Sequence, residues 1–123
     1  METLPKKRRQ YPEHDLQVLC IKWFKLQYPH LSGLIFHIPN ERKQSPIAGK
    51  RAKDLGTLAG VADVLLSVPS NGWHGYYFEF KSAKGILTET QKTFMNNVLD
   101  AGYNWKIIRN FDEFKNIINN YLK

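Results

Sequence analysis

The order of helix-like and strand-like segments constrains the fold of this chain more than any other feature of its sequence. Some segments carry apolar residues at helical spacing, and others are short runs of β-branched and aromatic residues bounded by glycine or proline. Helices are predicted at 12–28, 46–55, 89–101 and 111–121, and strands at 34–38, 61–68, 76–81 and 105–109. The order α-β-α-β-β-α-β-α predicts an α/β protein in which helices flank a mixed sheet.

A turn signal, Pro69-Ser70-Asn71-Gly72, separates the second and third strand-like segments and predicts a β-hairpin. Because side chains alternate across a strand, Glu79 and Lys81 share one face of the third strand. Asp63 interrupts the apolar run of the neighbouring strand, where an unpaired charge would be costly. The hairpin therefore predicts that Asp63 approaches Glu79.

Two carboxylates on adjacent strands, with a lysine beside them, could carry out metal-assisted hydrolysis of a phosphodiester. The carboxylates suit Mg²⁺ or Mn²⁺, and the lysine can orient a water or stabilise developing negative charge. The pattern Glu-x-Lys also arises by chance, and its usual meaning is a solvated strand face with a local ion pair. Asp63 could likewise cap the turn after Gly60. On these residues alone, both interpretations stay open.

Two polar residues lie on the apolar faces of predicted helices. Glu13 continues the stripe of the first helix, although a first-turn carboxylate can also simply complement the helix dipole. Gln91 lies on the stripe of the third helix and also completes a capping box with Thr88, and these two interpretations are compatible. The stripe of the first helix consists of Leu16, Leu19, Cys20, Trp23 and Phe24.

Length and charge indicate a single basic domain. The 123 residues fit one domain over 13–123, preceded by a flexible basic arm at 1–12. The formal net charge of +7 favours a polyanionic partner, nucleic acid ahead of an anionic membrane. The longest apolar runs are about five residues, far short of a membrane span. A soluble, cytoplasmic protein is therefore expected.

Several classes of function lack their sequence signature. The chain has neither a Gly-x4-Gly-Lys-Ser/Thr loop nor a Gly-x-Gly-x-x-Gly motif, so no nucleotide cofactor is expected. The single cysteine, Cys20, excludes an internal disulfide framework and a cysteine-rich zinc site. Its place in the apolar stripe predicts a core residue and not a nucleophile.

Four segments, taken in order, resemble the virus-type replication-repair nuclease (VRR-NUC) domain of the PD-(D/E)XK superfamily. The likeness extends over roughly residues 11–122. It implies a restriction-endonuclease-like αβββαβ core with one helix inserted before the second strand. The matching segments are Glu13-His14-Asp15-Leu16-Gln17, His37-Ile38-Pro39-Asn40, Gly60-Val61-Ala62-Asp63-Val64-Leu65, and Phe78-Glu79-Phe80-Lys81 followed by Gln91.

The resemblance also implies roles for individual residues. Asp63 and Glu79 match the metal-binding carboxylates, and the backbone carbonyl of Phe80 would be a further ligand. Lys81 matches the motif lysine. Ala62 stands where proline usually precedes the aspartate, a departure that leaves the catalytic groups unchanged. The implied catalytic set is Glu13, Asp63, Glu79, Lys81 and Gln91, in which Glu13 faces the metal directly or through water and Gln91 supports the site.

The implied activity is that of an Mg²⁺-dependent DNA endonuclease, with Mn²⁺ as a possible substitute. Structure-selective cutting of branched DNA, such as Holliday junctions or flaps, by a homodimer is implied for replication, recombination or repair in a bacterial or phage-infected cell. The alternative is a non-catalytic nucleic-acid-binding module with a degenerate nuclease fold. For His37, a core or hydrogen-bonded residue is favoured over a DNA contact. The predicted DNA contacts are Asn40, Arg42, Lys43, Lys50, Arg51, Lys53 and Lys84.

Overall fold

The computed structural model describes residues 12–39 and 45–123. Its elements follow the predicted order, with one 3₁₀ helix added at Pro29–Leu34, where proline ends the first helix. The helices are α1 (Pro12–Gln27), α2 (Pro46–Asp54), α3 (Glu89–Asp100) and α4 (Phe111–Tyr121). The strands are β1 (Ile35–His37), β2 (Val64–Leu66), β3 (Tyr76–Phe80) and β4 (Asn104–Ile108).

The four strands form one mixed sheet in the order β1-β2-β3-β4. The pairs β1–β2 and β2–β3 are antiparallel, and β3–β4 is parallel. The predicted hairpin is therefore confirmed, with Val64 opposite Phe78. β2 is shorter than the predicted 61–68, but its pairing to β1 continues through two hydrogen bonds beyond the strand ends, from Ile38 N to Asp63 O and from Ser67 N to Leu34 O, both 2.7 Å.

Helices cover both faces of the sheet. On one face α1 and α4 pack on β3 and bury a core that includes Cys20, Phe24, Phe78 and Phe114. On the other face α3 packs through Phe94 against Trp105 and Ala62. Polar side chains that such a sheet does bury need hydrogen-bond partners.

Leu19 was predicted to lie in the buried stripe of α1, and this prediction is wrong because Leu19 is 47% exposed. The buried stripe is centred on Cys20 and Phe24, and Leu19 projects about 100° away from Cys20 around the helix. Leu16 and Trp23 lie at the margin of the stripe and are partly buried. Glu13 lies seven residues before Cys20, on the line of the stripe itself.

Two further predictions concern the basic arm and the possibility of a membrane-spanning helix. Residues 1–11 of the predicted basic arm lie outside them, while Pro12 already belongs to α1. Across 12–39 and 45–123, no helix combines the length and the apolar character needed to cross a membrane.

Candidate functional site

Asp63 immediately precedes β2, and three neighbours fix its position. The register places Val64 opposite Phe78, so Asp63 stands opposite Glu79 one step further along the hairpin. Its carboxylate Oδ2 accepts a hydrogen bond of 2.8 Å from the Phe80 backbone amide. Its backbone carbonyl accepts from Ile38 N. The structure thus brings Asp63 to the end of β3 that carries Glu79, as the hairpin predicts.

Glu79 lies on the face of β3 that α3 covers, and only 2% of it is exposed. Gln91 Nε2 donates a hydrogen bond of 2.7 Å to Glu79 Oε1. Gln91 Oε1 accepts from Thr88 N at 2.9 Å, and Thr88 Oγ1 accepts from Gln91 N at 3.2 Å. The backbone N–H of Thr88 can only donate, so the oxygen of the Gln91 amide must face Thr88. The N–H₂ of the same amide then faces Glu79. Both interpretations of Gln91, helix cap and support of the carboxylate, therefore describe the same geometry.

Gly60 lets the loop before Asp63 approach the first turn of α3 closely. A Cβ atom at this position would lie 2.3 Å from the carbonyl carbon and oxygen of Thr90, and the φ angle of Gly60 is +85°. Both facts require glycine, since no side chain fits and left-handed backbone disfavours one. The loop and the helix are thus in direct backbone contact, and this contact positions Gln91 relative to the hairpin.

Lys81 and Glu13 complete the group at the C-terminal end of β3. Lys81 follows the strand, is 6% exposed, and donates from its backbone amide to Ile108 O at 3.0 Å. Glu13 projects from the first turn of α1, and its Oε1 accepts a long hydrogen bond, 3.4 Å, from Ser82 N. The five residues of the predicted catalytic set therefore lie around this end of β3: Glu13 on α1, Glu79 on β3 and Gln91 on α3, with Asp63 just before β2 and Lys81 just after β3.

The donor chemistry of this group fits a hard divalent cation. Within the described residues, no cluster of three or more His, Cys, Asp and Glu side chains could hold a metal ion. Mg²⁺ does not need such a cage, because it is usually bound by one or two carboxylates and retains several waters. Asp63, Glu79 and the Phe80 carbonyl offer oxygen ligands of this kind, and Glu13 reaches the same strand end through its hydrogen bond with Ser82 N.

The predicted DNA contacts divide into two groups. Lys50, Arg51 and Lys53 are exposed on α2, a helix with no buried residue, and Lys84 is exposed in the turn after β3. α2 begins at Pro46 with Ser45 as its N-cap, as its sequence predicts. Asn40, Arg42 and Lys43 lie outside the described residues.

His37 is hydrogen-bonded and exposed. Its Nδ1 lies 2.9 Å from Nε2 of Gln17, so the amide of α1 donates and the ring nitrogen accepts. The expectation of a hydrogen-bonded histidine is confirmed, while a core position is not, because β1 buries Ile35 and leaves His37 at the surface.

Cys20 is a core residue, as predicted. Its side chain is fully buried, and burial raises the pKa of the thiol to about 12. The thiol therefore stays protonated at neutral pH, which leaves it a poor nucleophile.

Sequence reasoning missed Arg109 as a residue of this region. Its Nη1 donates to the carbonyl oxygens of Ser82 and Gly85, 2.7 Å each, directly beyond Lys81. Its partners are 24 to 27 residues earlier in the chain. Only the parallel pairing of β3 and β4, which no local pattern reveals, could have placed it beside Lys81.

Comparison with known proteins identifies a solved structure that has a similar fold. No family model matches the sequence, and no curated protein does so either. A solved structure described as a "VRR_NUC domain protein" is similar, with a TM-score of 0.76 and 24% sequence identity. The match covers 94% of this chain and 91% of that chain. The chain has the fold of that VRR-NUC domain, and the predicted α/β, restriction-endonuclease-like core is confirmed.

Proposed function

We propose that this protein is a metal-dependent DNA endonuclease that hydrolyses phosphodiester bonds. One observation carries the proposal: Asp63 and Glu79 are held at one end of β3 by defined hydrogen bonds, and Lys81 is buried beside them. Lysine and glutamate side chains are almost never fully buried unless they are paired. The fold shared with a VRR-NUC domain protein supports the same conclusion.

Asp63, Glu79 and the backbone carbonyl of Phe80 would hold Mg²⁺, with Mn²⁺ as a substitute, and waters would complete the coordination. When bound, the ion supplies Lewis-acid polarisation of the scissile phosphate and a lower pKa for an attacking water. The Phe80 amide fixes the Asp63 carboxylate by a hydrogen bond, and the Gln91 amide fixes that of Glu79.

The remaining residues of the set act on the substrate and the water. The Lys81 ammonium orients the attacking water or stabilises negative charge that develops on the phosphate oxygens. Glu13, which already accepts from Ser82 N, fixes the first turn of α1 against the strand end and faces the site through water. The chain therefore supplies groups for both charge stabilisation and water placement.

DNA is the substrate that the charge of the molecule favours. The net charge of +7 and the exposed cations of α2 and Lys84 can neutralise backbone phosphates. The VRR-NUC resemblance leads us to propose branched DNA, such as four-way junctions or flaps, as the preferred form. We further propose a homodimer, in which two sites meet two strands.

A non-catalytic DNA-binding module is the alternative. It would share the basic surface, but phosphate contacts require exposed cations and give no reason to bury Lys81. Removing an ion from water has an effective penalty of several kcal/mol even after the protein relaxes and water penetrates. The burial of both Glu79 and Lys81 therefore favours the enzyme.

A cleavage assay separates the two functions. Junction, flap and linear DNA are incubated with Mg²⁺, Mn²⁺ or EDTA and with wild type, Asp63→Asn, Lys81→Met or Lys106→Ala. Lys106 is an exposed cation on β4 and serves as the control for charge. We expect metal-dependent cutting by wild type and Lys106→Ala, and a loss of about 100-fold or more in the two site variants. Salt-sensitive binding without cutting by the wild type would support the binding module instead.

A further inference from the structure

Residues 82–85 form a β-turn directly after Lys81, and this turn lies against the Lys81 side chain. The Gly85 amide donates to the Ser82 carbonyl at 3.1 Å, which closes the turn. A Cβ atom at Gly85 would lie 3.3 Å from Lys81 Cδ and 3.4 Å from Lys81 Cβ. Gly85 therefore packs on the aliphatic stem of Lys81.

Arg109 holds this turn from the end of β4. Its Nη1 donates to Ser82 O and Gly85 O, both at 2.7 Å, and lies 3.4 Å from Ala83 O. Hydrogen bonds from a charged donor are roughly twice as strong as those between neutral groups. One guanidinium nitrogen therefore contacts three carbonyl oxygens of the turn, and one of them belongs to Gly85, the residue that packs on Lys81.

Arg109 is itself held in place by hydrogen bonds of the elements on either side of it. The ladder between β3 and β4 continues beyond both strands through the hydrogen bond from Lys81 N to Ile108 O, 3.0 Å. Asn110, the residue after Arg109, is the N-cap of α4, and its Oδ1 accepts from Glu113 N at 2.9 Å. Arg109 N also donates to Glu113 Oε1 at 3.4 Å. The arginine is therefore fixed between a strand end and a helix cap.

We propose that Arg109 is a positioning residue of the site: it holds the 82–85 turn against Lys81 and thereby sets the direction of the Lys81 ammonium. The inference rests on the proposed nuclease function. Arg109 acts through the turn and does not contact the substrate. Because a catalytic group displaced by about 1 Å can lower the rate about 100-fold, loss of the turn contact has a large expected effect. Lys81 acts on the transition state, so the loss falls on kcat and not on KM.

Steady-state cleavage of branched DNA with Mg²⁺ tests the proposal in Arg109→Ala, with Lys106→Ala from the same strand as the control. We expect kcat of Arg109→Ala to fall about 100-fold while KM changes less than about twofold. Millimolar guanidinium ion should restore part of this kcat, and sodium chloride at the same ionic strength should not. Equal kcat in the two variants, or a loss that guanidinium does not restore, would overturn the proposal.

Amide hydrogen exchange provides a second measurement that needs neither metal nor DNA. The Gly85 amide should exchange about tenfold faster or more in Arg109→Ala than in Lys106→Ala, with β3 amides unchanged. Unchanged exchange at Gly85 overturns the proposal whether or not the protein cuts DNA. If the wild type cuts no DNA, the proposed function fails, and the exchange result alone decides whether Arg109 holds the turn. Arg109→Met, which keeps the aliphatic stem, gives the same kcat and exchange tests if Arg109→Ala does not fold.

Discussion

Gln91 joins a helix end to a candidate catalytic carboxylate through its two amide atoms. The oxygen accepts from the Thr88 backbone amide, and the nitrogen donates to Glu79. A capping box fixes its N3 side chain relative to the backbone. The position of the Gln91 nitrogen that donates to Glu79 is therefore set by the start of α3. One conformation of the Gln91 side chain serves both the helix cap and the site.

Substitutions at Thr88 and Gln91 separate these two roles. Thr88→Ala removes one hydrogen bond of the cap, and we expect a loss of about 1 kcal/mol in the free energy of unfolding with cleavage retained. Gln91→Ala also removes the buried donor of Glu79, which adds about 1–3 kcal/mol and lowers cleavage. Urea denaturation and the cleavage assay measure both effects. Equal loss of cleavage in the two variants would contradict a specific role of Gln91 at Glu79.

At the scale of the elements, β3 is the strand on which the site is built. Its C-terminal end receives Asp63 from the start of β2, Gln91 from α3, Glu13 from α1 and Arg109 from the end of β4. Strand β3 has paired neighbours on both sides, so its backbone is rigid. A site carried by such a strand needs precise contacts from each neighbouring element.

The contact between the loop at Gly60 and α3 can be tested with a matched glycine. Gly60 and Gly72 have nearly equal φ angles, +85° and +84°, but only Gly60 has neighbours within the reach of a Cβ atom. Gly72→Ala should lower the free energy of unfolding by about 1 kcal/mol through backbone strain and leave cleavage intact. Gly60→Ala should destabilise more and reduce cleavage, because α3 and Gln91 must shift. The same loss of stability and cleavage in both variants would refute this explanation.

At the scale of the whole molecule, burial on both faces of the sheet raises the pKa of groups in the core. Burial raises the pKa of Cys20 to about 12, and burial together with the nearby Tyr121 raises that of Tyr76 to about 12. The ordinary values are 9.0 for the thiol and 10.0 for the phenol. The folded protein therefore binds both protons more tightly than the unfolded chain.

This difference predicts alkaline destabilisation. Because the unfolded chain releases these protons first, the stabilisation is complete below pH 9.0 and declines as the pH rises towards about 12. Urea midpoints measured between pH 8 and 11 should fall, and in Cys20→Ala the contribution of the thiol to this slope should disappear. A midpoint that is independent of pH over this interval would contradict the burial of ionisable groups in the core.

The sequence by itself determined the order of elements, the hairpin and the helix caps, because these depend on residues close together in the chain. Helical spacing, the turn at 69–72 and the Thr88–Gln91 box are local signals of this kind. The catalytic set was predicted from ordered motifs, and the structure brings those residues to one end of β3, where their chemical roles stay predictions. The exposure of Leu19 was not predictable, because apolar spacing does not tell how wide a stripe the sheet will cover.

Only the tertiary structure decided which distant groups meet. The parallel pairing of β4 with β3 brings Arg109 to the turn after Lys81, and strand pairing over such separations has no local signature. The backbone contact of Gly60 with Thr90 depends in the same way on how α3 packs on the sheet. The physical reason is common to both cases: local patterns specify hydrogen bonds within a few residues, whereas contacts between elements depend on the packing of the complete core.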